Sequence, residues 1–372
     1  MSDKMNPIPF SNLSTWIISE FANKKSIFGI GSEKFHFING NCKYKIFGED
    51  LDTPIGPAAG PHTQLTQNII SAYLAGGRFF ELKTVQQLDE LEIAKPCIDA
   101  TDEGYNVEWS QELKLDQSYD EYLKAWILLH LIKELFTPKK NTRGFIFNMS
   151  VGYTLEGIQS ERMNRFIDEL KDASTNELFS NYKSTLKKIL DYNYKLLFDT
   201  FKLNPDSFNE LLTSIENISP NVSNSVTLST MHGCPPYEIE AIAKYLIEEK
   251  NLHTYIKLNP TLLGYDFVNN TLHQLGYNYI NLSRSSFEHD LQYKDAIPML
   301  KRLIDFAKEH NRVFGVKLSN TLGVKNTFLA LPGDDMYMSG RSLFPLTINL
   351  AYKLAEEFNG NLNISYSGGA NI

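Results

Sequence analysis

Eight short runs rich in β-branched and aromatic residues recur along the chain, and most are separated by stretches of helical character. They are TPIGPAAG (53–60), FFELKTV (79–85), FIFNMSV (145–151), SVTLST (225–230), YIKLNPT (255–261), YINLS (279–283), FGVKLSN (314–320) and NISYSGG (363–369). Such alternation makes parallel β-structure with crossover helices, because parallel neighbours need a long connection between them. Helices are expected at 66–75, 119–136, 237–250 and 295–310. The first closes on Gly76-Gly77. The third follows Pro235-Pro236 with Glu238 and Glu240 in its first turns. The last opens on Asp295 as its cap and ends in Lys308 and His310. Several runs end in Gly, Asn, Ser or Thr, which puts a functional face at the C-terminal ends of the strands. A (β/α)8 TIM barrel, whose site is built from those ends, fits this pattern best. A doubly wound open sheet is the alternative and obeys the same rule.

Two stretches exceed a minimal barrel. Residues 1–50 precede the first run and carry the helical SNLSTWIISEFA and the turn-rich FGIGSEKF; they are expected to form an extension packed on a barrel of residues 51–372. Residues 156–224 hold more helix than one crossover needs (MNRFIDELKDA, STLKKILDYNYKLLFDTF). They read as a helical insertion between strands three and four. The net charge of −8 argues against nucleic acid as a partner and favours a cytoplasmic protein. No signal peptide or membrane-spanning run is visible. Three scattered cysteines, Cys42, Cys97 and Cys234, are too few for a disulfide framework or a four-cysteine iron–sulfur cluster, and no metal set is expected.

The lysines inside the strands carry the chemistry. Strand alternation places Glu81, Lys83 and Val85 on one face, Lys257 and Asn259 on one face, and Lys317 and Ser319 on one face, with apolar residues opposite. The apolar faces must meet the helices, so the lysines point to the barrel interior or its mouth. An ammonium there is costly unless it is paired or bound to an anion. For Lys317, a pairing with a carboxylate such as Glu81 is as good a reading as a ligand role. Lys83 and Lys257, near a Gly-Gly loop, look more like anion or cofactor ligands. Flavin mononucleotide suits them: backbone N–H groups of a Gly loop take the phosphate. A lysine by the pyrimidine edge of the ring stabilises the negative charge of the reduced flavin.

TPIGPAAG, ELKTV, VKLSNT, SGRSLFPL and SGGA resemble the flavin barrel of dihydroorotate and dihydropyrimidine dehydrogenases. PIGPAAGPHTQLTQNI, GGRFFELKTVQ, FIFNMSVGYTLEGI, TLSTMHGCPP, IKLNPTLLGY, MYMSGRSLFPL and ISYSGGA resemble the N-terminal region of the putative selenate reductase subunit family, over essentially the whole chain. The resemblance implies an FMN-dependent oxidoreductase of dihydroorotate dehydrogenase type. It implies Ala58, Ala59 and Gly60 against the flavin ring, and Lys83 and Thr84 on the ring or ribityl chain. Asn148 would lie in or near the substrate site and Lys257 at the pyrimidine edge. Asn320 and Thr321 would close the middle of the pocket, and Gly368 and Gly369 would take the phosphate. On the residues alone, Ala58–Gly60 is equally a tight turn, and Asn148 a capping residue.

In the related barrels the Gly-Gly strand is the seventh, which would make one run here, YINLS, part of an insertion; counting all eight runs would place it eighth. Either way the closing helix is missing, and the chain is expected to be a fragment or prematurely ended product of a longer protein. Its longer relatives resemble fusions that continue into iron–sulfur and NAD(P)H/FAD modules like those of glutamate synthase. The sequence agrees: GIG at 29–31 lacks the helix glycine of a dinucleotide fingerprint, so the electron donor is expected elsewhere.

Dihydroorotate-type enzymes move a proton with a Cys or Ser in an Asn-containing loop after strand four. Here that loop reads TLSTMHGCPP, without the Asn, and Cys234, Ser229, Thr230 and His232 are the catalytic candidates, the first three preferred. At the start of a helix the dipole would favour a Cys234 thiolate; the plainer reading is a small buried cap residue. His232 reads as a loop histidine bonded to backbone. ALPGDDMYMSGRSLFPL is a Gly- and Asp-rich loop able to form a lid over the mouth, or an ordinary surface loop. Two functions remain open: a flavin-dependent reductase of a small substrate, such as a C=C or C=N bond of a planar heterocycle, or a non-catalytic barrel that scaffolds electron-transfer modules.

Overall fold

The computed structural model describes residues 5–38, 44–89, 96–99, 112–137, 142–229 and 232–369. The elements are α1 (Phe10–Lys24), β1 (Ser26–Ile27), β2 (Ile30–Gly31), β3 (Tyr44–Ile46), β4 (Glu49–Leu51), α2 (Thr66–Leu74), β5 (Phe79–Glu81), α3 (Leu115–Phe136), β6 (Ile146–Gly152), α4 (Leu155–Ile158), α5 (Glu161–Lys171), α6 (Glu177–Tyr192), α7 (Tyr194–Phe201), α8 (Pro205–Glu216), β7 (Ser225–Ser229), α9 (Pro236–Glu248), β8 (His253–Leu258), α10 (Tyr265–Gln274), α11 (Arg284–His289), α12 (Tyr293–Glu309), β9 (Phe314–Leu318), β10 (Leu322–Lys325), β11 (Asp335–Met338), α13 (Phe344–Glu357) and β12 (Asn363–Tyr366). The chain packs as two units. The first comprises Met1–Lys83, Glu112–Met149 and Asn164–Asn224; the second comprises Thr84–Gln111, Ser150–Met163 and Ser225–Ile372.

The first unit is built round α3, which is buried on most of its faces and buries Ser118, Glu121, Lys124 and Lys133 along with its apolar residues. It packs on α2, α6 and α8. Its buried Glu121 accepts the Thr66 backbone N–H at 2.7 Å, so a side chain of α3 satisfies the open start of α2, and Lys124 balances that carboxylate at 2.9 Å. The amphipathic α1 buries Leu13, Ile17, Ile18 and Phe21, and Phe21 meets Phe136 edge-on at 4.9 Å and stacks on Phe201 at 5.1 Å. Most of the surplus helical sequence after strand β6 forms α5 to α8. Arg78 is fully buried, pairs with Asp52 at 3.3 Å and donates to the carbonyls of Tyr73, Gly77 and His36.

Two expectations about strands in this unit need correction. Residues 53–60 are not a strand. Ile55 and Pro57 offer their carbonyls to Arg78, Phe79 and Glu81, but Pro54 and Pro57 have no N–H to return, so the ladder is one-sided. Gly56 lies against the Phe79 carbonyl, where a Cβ would collide. Second, β5 ends at Glu81, and the next residues do not keep strict alternation. Glu81 stands opposite Asn148 whereas Val85 stands opposite Val151, so one extra residue is accommodated between them. Glu81 and Val85 therefore do not share a face.

The second unit holds a parallel sheet in the order β12-β9-β8-β7, with α9 crossing from β7 to β8 and α12 packed on both α9 and β9. In β8, Thr254, Ile256 and Leu258 are buried under the helices, while His253, Tyr255 and Lys257 are half-buried on the other face. YINLS is not a strand. Only Ile280 and Leu282 could form an apolar face and both stay half-exposed, so residues 280–283 run irregularly into α11. With that run set aside and 53–57 counted first, β12 is the seventh extended segment of the series. Helix α12 starts after Gln292 without a side-chain cap; Asp295 lies in its first turn and is not its cap. The ALPGDDMYM stretch is part of an antiparallel hairpin, β10–β11, with Leu322 opposite Met338 and Lys325 opposite Asp335.

Candidate active site

Parallel registers decide which strand residues meet. On the sheet of the second unit Thr227 pairs with Tyr255, Tyr255 with Gly315 and Gly315 with Asn363. One step nearer the strand ends, Lys257 pairs with Lys317 and Lys317 with Ser365. Two lysines thus stand side by side on neighbouring strands. Lys317 is the deeper, 4% exposed, and burial pulls its pKa down to about 7. Lys257 is half-buried. The sequence reading had favoured Lys83 and Lys257 as ligands; the structure adds Lys317 as a buried lysine whose pKa is lowered by burial.

Around this pair the strand ends are polar. Beyond β9, Ser319, Asn320 and Thr321 are all buried; Asn320 N–H donates to the Leu258 carbonyl at 2.8 Å, and the Ser319 hydroxyl meets that of Thr347 at 2.7 Å. After β12 the backbone turns through Gly368 (φ 112°) and Gly369 (φ 79°), a left-handed path that glycine takes without strain. A Cβ on Gly368 would lie 2.6 Å from Thr347 Oγ1, and one on Gly369 would lie 2.3 Å from Arg341 Cα. Thr84 Oγ1 meets Ser150 Oγ at 2.7 Å, and Gly152 lets the end of β6 approach the Ser229 carbonyl. Thr84, Ser229, Lys257, Asn320, Thr321, Gly368 and Gly369 therefore lie in the second unit. Ala58, Ala59, Gly60, Lys83 and Asn148 lie in the first. There Gly60 opens the turn Pro61–Thr63, with its N–H on Thr63 Oγ1 at 3.2 Å, Leu82 N–H donates to the Asn148 carbonyl at 3.0 Å, and Tyr122 Oη donates to the Lys83 carbonyl at 3.2 Å. Thr230 lies outside the described residues.

Cys234 does not carry the expected thiolate. It precedes the first turn of α9, but burial and then the nearby Glu238 push its pKa up to about 12, so the thiol keeps its proton. In the same loop, His232 departs from the reading of a loop histidine bonded to backbone. His232 bonds to a carboxylate: its Nδ1 lies 2.9 Å and 3.1 Å from the two oxygens of Asp290. Burial alone would raise the Asp290 pKa; hydrogen bonds from His232, Thr261 and the Gly233 backbone outweigh it and hold the carboxyl below its ordinary value. Asn259 also donates to it at 3.2 Å. Asp290 is nearly fully buried and His232 one-third exposed, lining a cavity of about 340 Å³ with Thr261, Ser283, Ser285, Ser286 and Tyr337. Asp290 gave no sequence signal beyond an acidic residue between two helices. Among the described residues no group of three His, Cys, Asp or Glu side chains converges as a metal site, and no helix is long and apolar enough to cross a membrane.

Residues 28–372 match the family model "Oxidoreductase YgfK, N-terminal TIM-barrel domain". The chain belongs to this family. The strand–helix series is thus that of a TIM-barrel domain. Over 370 residues the chain is 52% identical to proteins named "Putative oxidoreductase YgfK" in Escherichia coli strain K12 and in E. coli O157:H7. All of this chain aligns, but it spans only 36% of the length of those relatives.

Proposed function

We propose that this oxidoreductase barrel holds flavin mononucleotide and reduces a small substrate, such as a C=C or C=N bond of a planar heterocycle. The observation that carries the reading is the in-register pair Lys257 and Lys317 beside a strand that ends in Gly368-Gly369. The residues fit the cofactor at both ends. The Gly-Gly turn takes a left-handed path packed so closely on Thr347 and Arg341 that a side chain would collide there, and the backbone N–H groups of such a turn suit a phosphate. The lysine pair suits an electron-rich ring edge, since a buried lysine with a lowered pKa regains its proton when a negative charge arrives. Bound there, the flavin would supply hydride chemistry. The second unit's own residues would bind it and set its electronics: Lys257, Asn320 and Thr321 at the ends of β8 and β9, and Thr84 by resemblance.

Electrons are proposed to come from iron–sulfur and FAD/NAD(P)H modules outside this chain, which the length of the relatives supports. A cytoplasmic setting is supported by the net charge of −8. The test is flavin binding. The purified 372-residue chain, titrated with FMN, should quench flavin fluorescence and retain the yellow absorption band after desalting. A chain that remains colourless, from a longer protein that is also colourless, would sink the reading and favour a scaffold barrel.

A further inference from the structure

We propose that His232 is the proton-transfer residue of this site and that Asp290 is its positioning residue. The proposal rests on the flavin reading above and extends it to the partner step of hydride transfer, for which the sequence had offered Cys234, Ser229 and Thr230 ahead of His232.

Four donors converge on Asp290 from two segments: His232 Nδ1 and Gly233 N from the loop after β7, and Asn259 Nδ2 and Thr261 Oγ1 from the loop after β8. This carboxylate is ionised and already saturated with hydrogen bonds, so it is a poor proton carrier and a good anchor. Its bond to Nδ1 holds that nitrogen as the N–H donor and leaves Nε2 as the nitrogen that gains or gives up a proton. A histidine oriented by a buried carboxylate beside a cavity is the geometry that general acid–base catalysis requires. A purely structural histidine has no need of a cavity at its edge; His232 lines one of about 340 Å³, walled by hydroxyls on one side and by Leu322, Val324 and Tyr337 of the β10–β11 hairpin on the other. The position also fits the lysine pair. Asn259, which donates to Asp290, lies two residues beyond Lys257, roughly 7 Å further along the chain direction. Other titratable groups on the cavity wall are His289 and Asp335. His289 Nδ1 is bonded to the Ser285 carbonyl at 2.6 Å and Asp335 is paired with Lys325 at 2.7 Å, so neither has the buried carboxylate partner that His232 has.

Reduction of a C=N or C=C bond consumes a hydride, for which reduced flavin is the reductant, and a proton. As the π bond breaks, one atom gains the C–H bond. The electron pair left on its neighbour forms a new bond to the proton leaving His232 Nε2. The imidazolium becomes neutral imidazole and regains its proton from water, while Asp290 stays ionised throughout.

The test compares acceptors that need a proton with one that does not. The longer protein, loaded with FMN and reduced by dithionite under anaerobic conditions, is mixed with uracil or hypoxanthine as planar cyclic-amide probes, or with ferricyanide. His232→Asn should slow reoxidation by the cyclic amide at least 100-fold and leave ferricyanide reoxidation and flavin content unchanged. Asp290→Asn should slow the first by 10-fold or more. With His232→Gly, added imidazole should restore part of the lost rate. Because Asp290 is buried, its variant is accepted only if thermal unfolding shows it folded; the His232 variants carry the test without it. A His232→Asn protein that reduces the probes at the wild-type rate, or a wild type that reduces neither while reacting with ferricyanide, overturns the proposal. A protein with no bound flavin overturns instead the reading beneath it. A readout without flavin is the long-range ¹H–¹⁵N spectrum of the 372-residue chain. It should show His232 with Nδ1 protonated, a preference that Asp290→Asn removes; the opposite tautomer in the wild type overturns the proposal.

Discussion

Lys317 is a lysine held almost wholly out of water. Its folded pKa of about 7 lies below the ordinary lysine value of 10.5, and each unit of that depression is worth about 1.4 kcal/mol. Below about pH 7 folded and unfolded chains both hold the proton; between 7 and 10.5 the unfolded chain holds it and the folded chain releases it. Stability therefore rises with pH across that window, and the cost of burying this amine is fully present below it. Lys317→Met should accordingly raise the melting temperature of the flavin-free chain most at pH 6–7, with the gain shrinking towards pH 9.5. Melting curves across that range check the sign; a gain that grows with pH contradicts it. Lys317 could be read in the sequence as a strand lysine with apolar neighbours, because alternation needs only two letters per turn of the pattern. Its depth could not, because depth depends on which strands flank it. Cys234 shows the same limit: the helix start was legible, but the burial and the carboxylate of Glu238 that protonate the thiol were not.

At the scale of elements, β9 illustrates how one glycine sets a register. Gly315 stands opposite both Tyr255 and Asn363, and a Cβ there would come within 2.7 Å of the Tyr255 ring and 2.6 Å of the Asn363 carbonyl oxygen. The ring could rotate away, but the backbone of β12 would have to shift. Gly315→Ala should cost about 1–3 kcal/mol, the usual penalty for overpacking, and should loosen the lysine pair two residues further on. Urea unfolding measures the first and FMN affinity the second; an unchanged midpoint would mean that β12 shifts freely. The strands that alternate or run apolar between turn signals (FIFNMSV, SVTLST, YIKLNPT, FGVKLSN) and the long helices were readable because their periods are strong. TPIGPAAG failed because proline removes the donors of the ladder, and YINLS because its two apolar residues find no covered face. Neither failure shows in hydrophobicity alone. The β10–β11 hairpin was also missed as strand, its tip being rich in Gly, Asp and Pro.

For the whole molecule, the proposed site would draw on residues more than a hundred positions apart, from Lys257 to Gly369, so its occupancy should be coupled to global stability. A ligand that binds only the folded chain stabilises it by about 2.7 kcal/mol when present at 100 times its dissociation constant. Saturating FMN should thus raise the unfolding midpoint of the wild-type chain by a few degrees, and riboflavin, which lacks the phosphate, by less. The difference between the two isolates the phosphate contribution of the Gly368-Gly369 turn from that of the lysine pair. Lys257→Ala should cut FMN affinity about tenfold, which is about 1.4 kcal/mol, and lower the shift for FMN and riboflavin alike, because Lys257 acts on the ring. Substituting Gly369 by Ala should erase the gap between them, because the turn acts on the phosphate. Calorimetric melts of the three chains with each ligand decide it. Equal shifts for FMN and riboflavin in the wild type would place the phosphate elsewhere, and no shift with either would leave the lysine pair as an anion site for a different ligand.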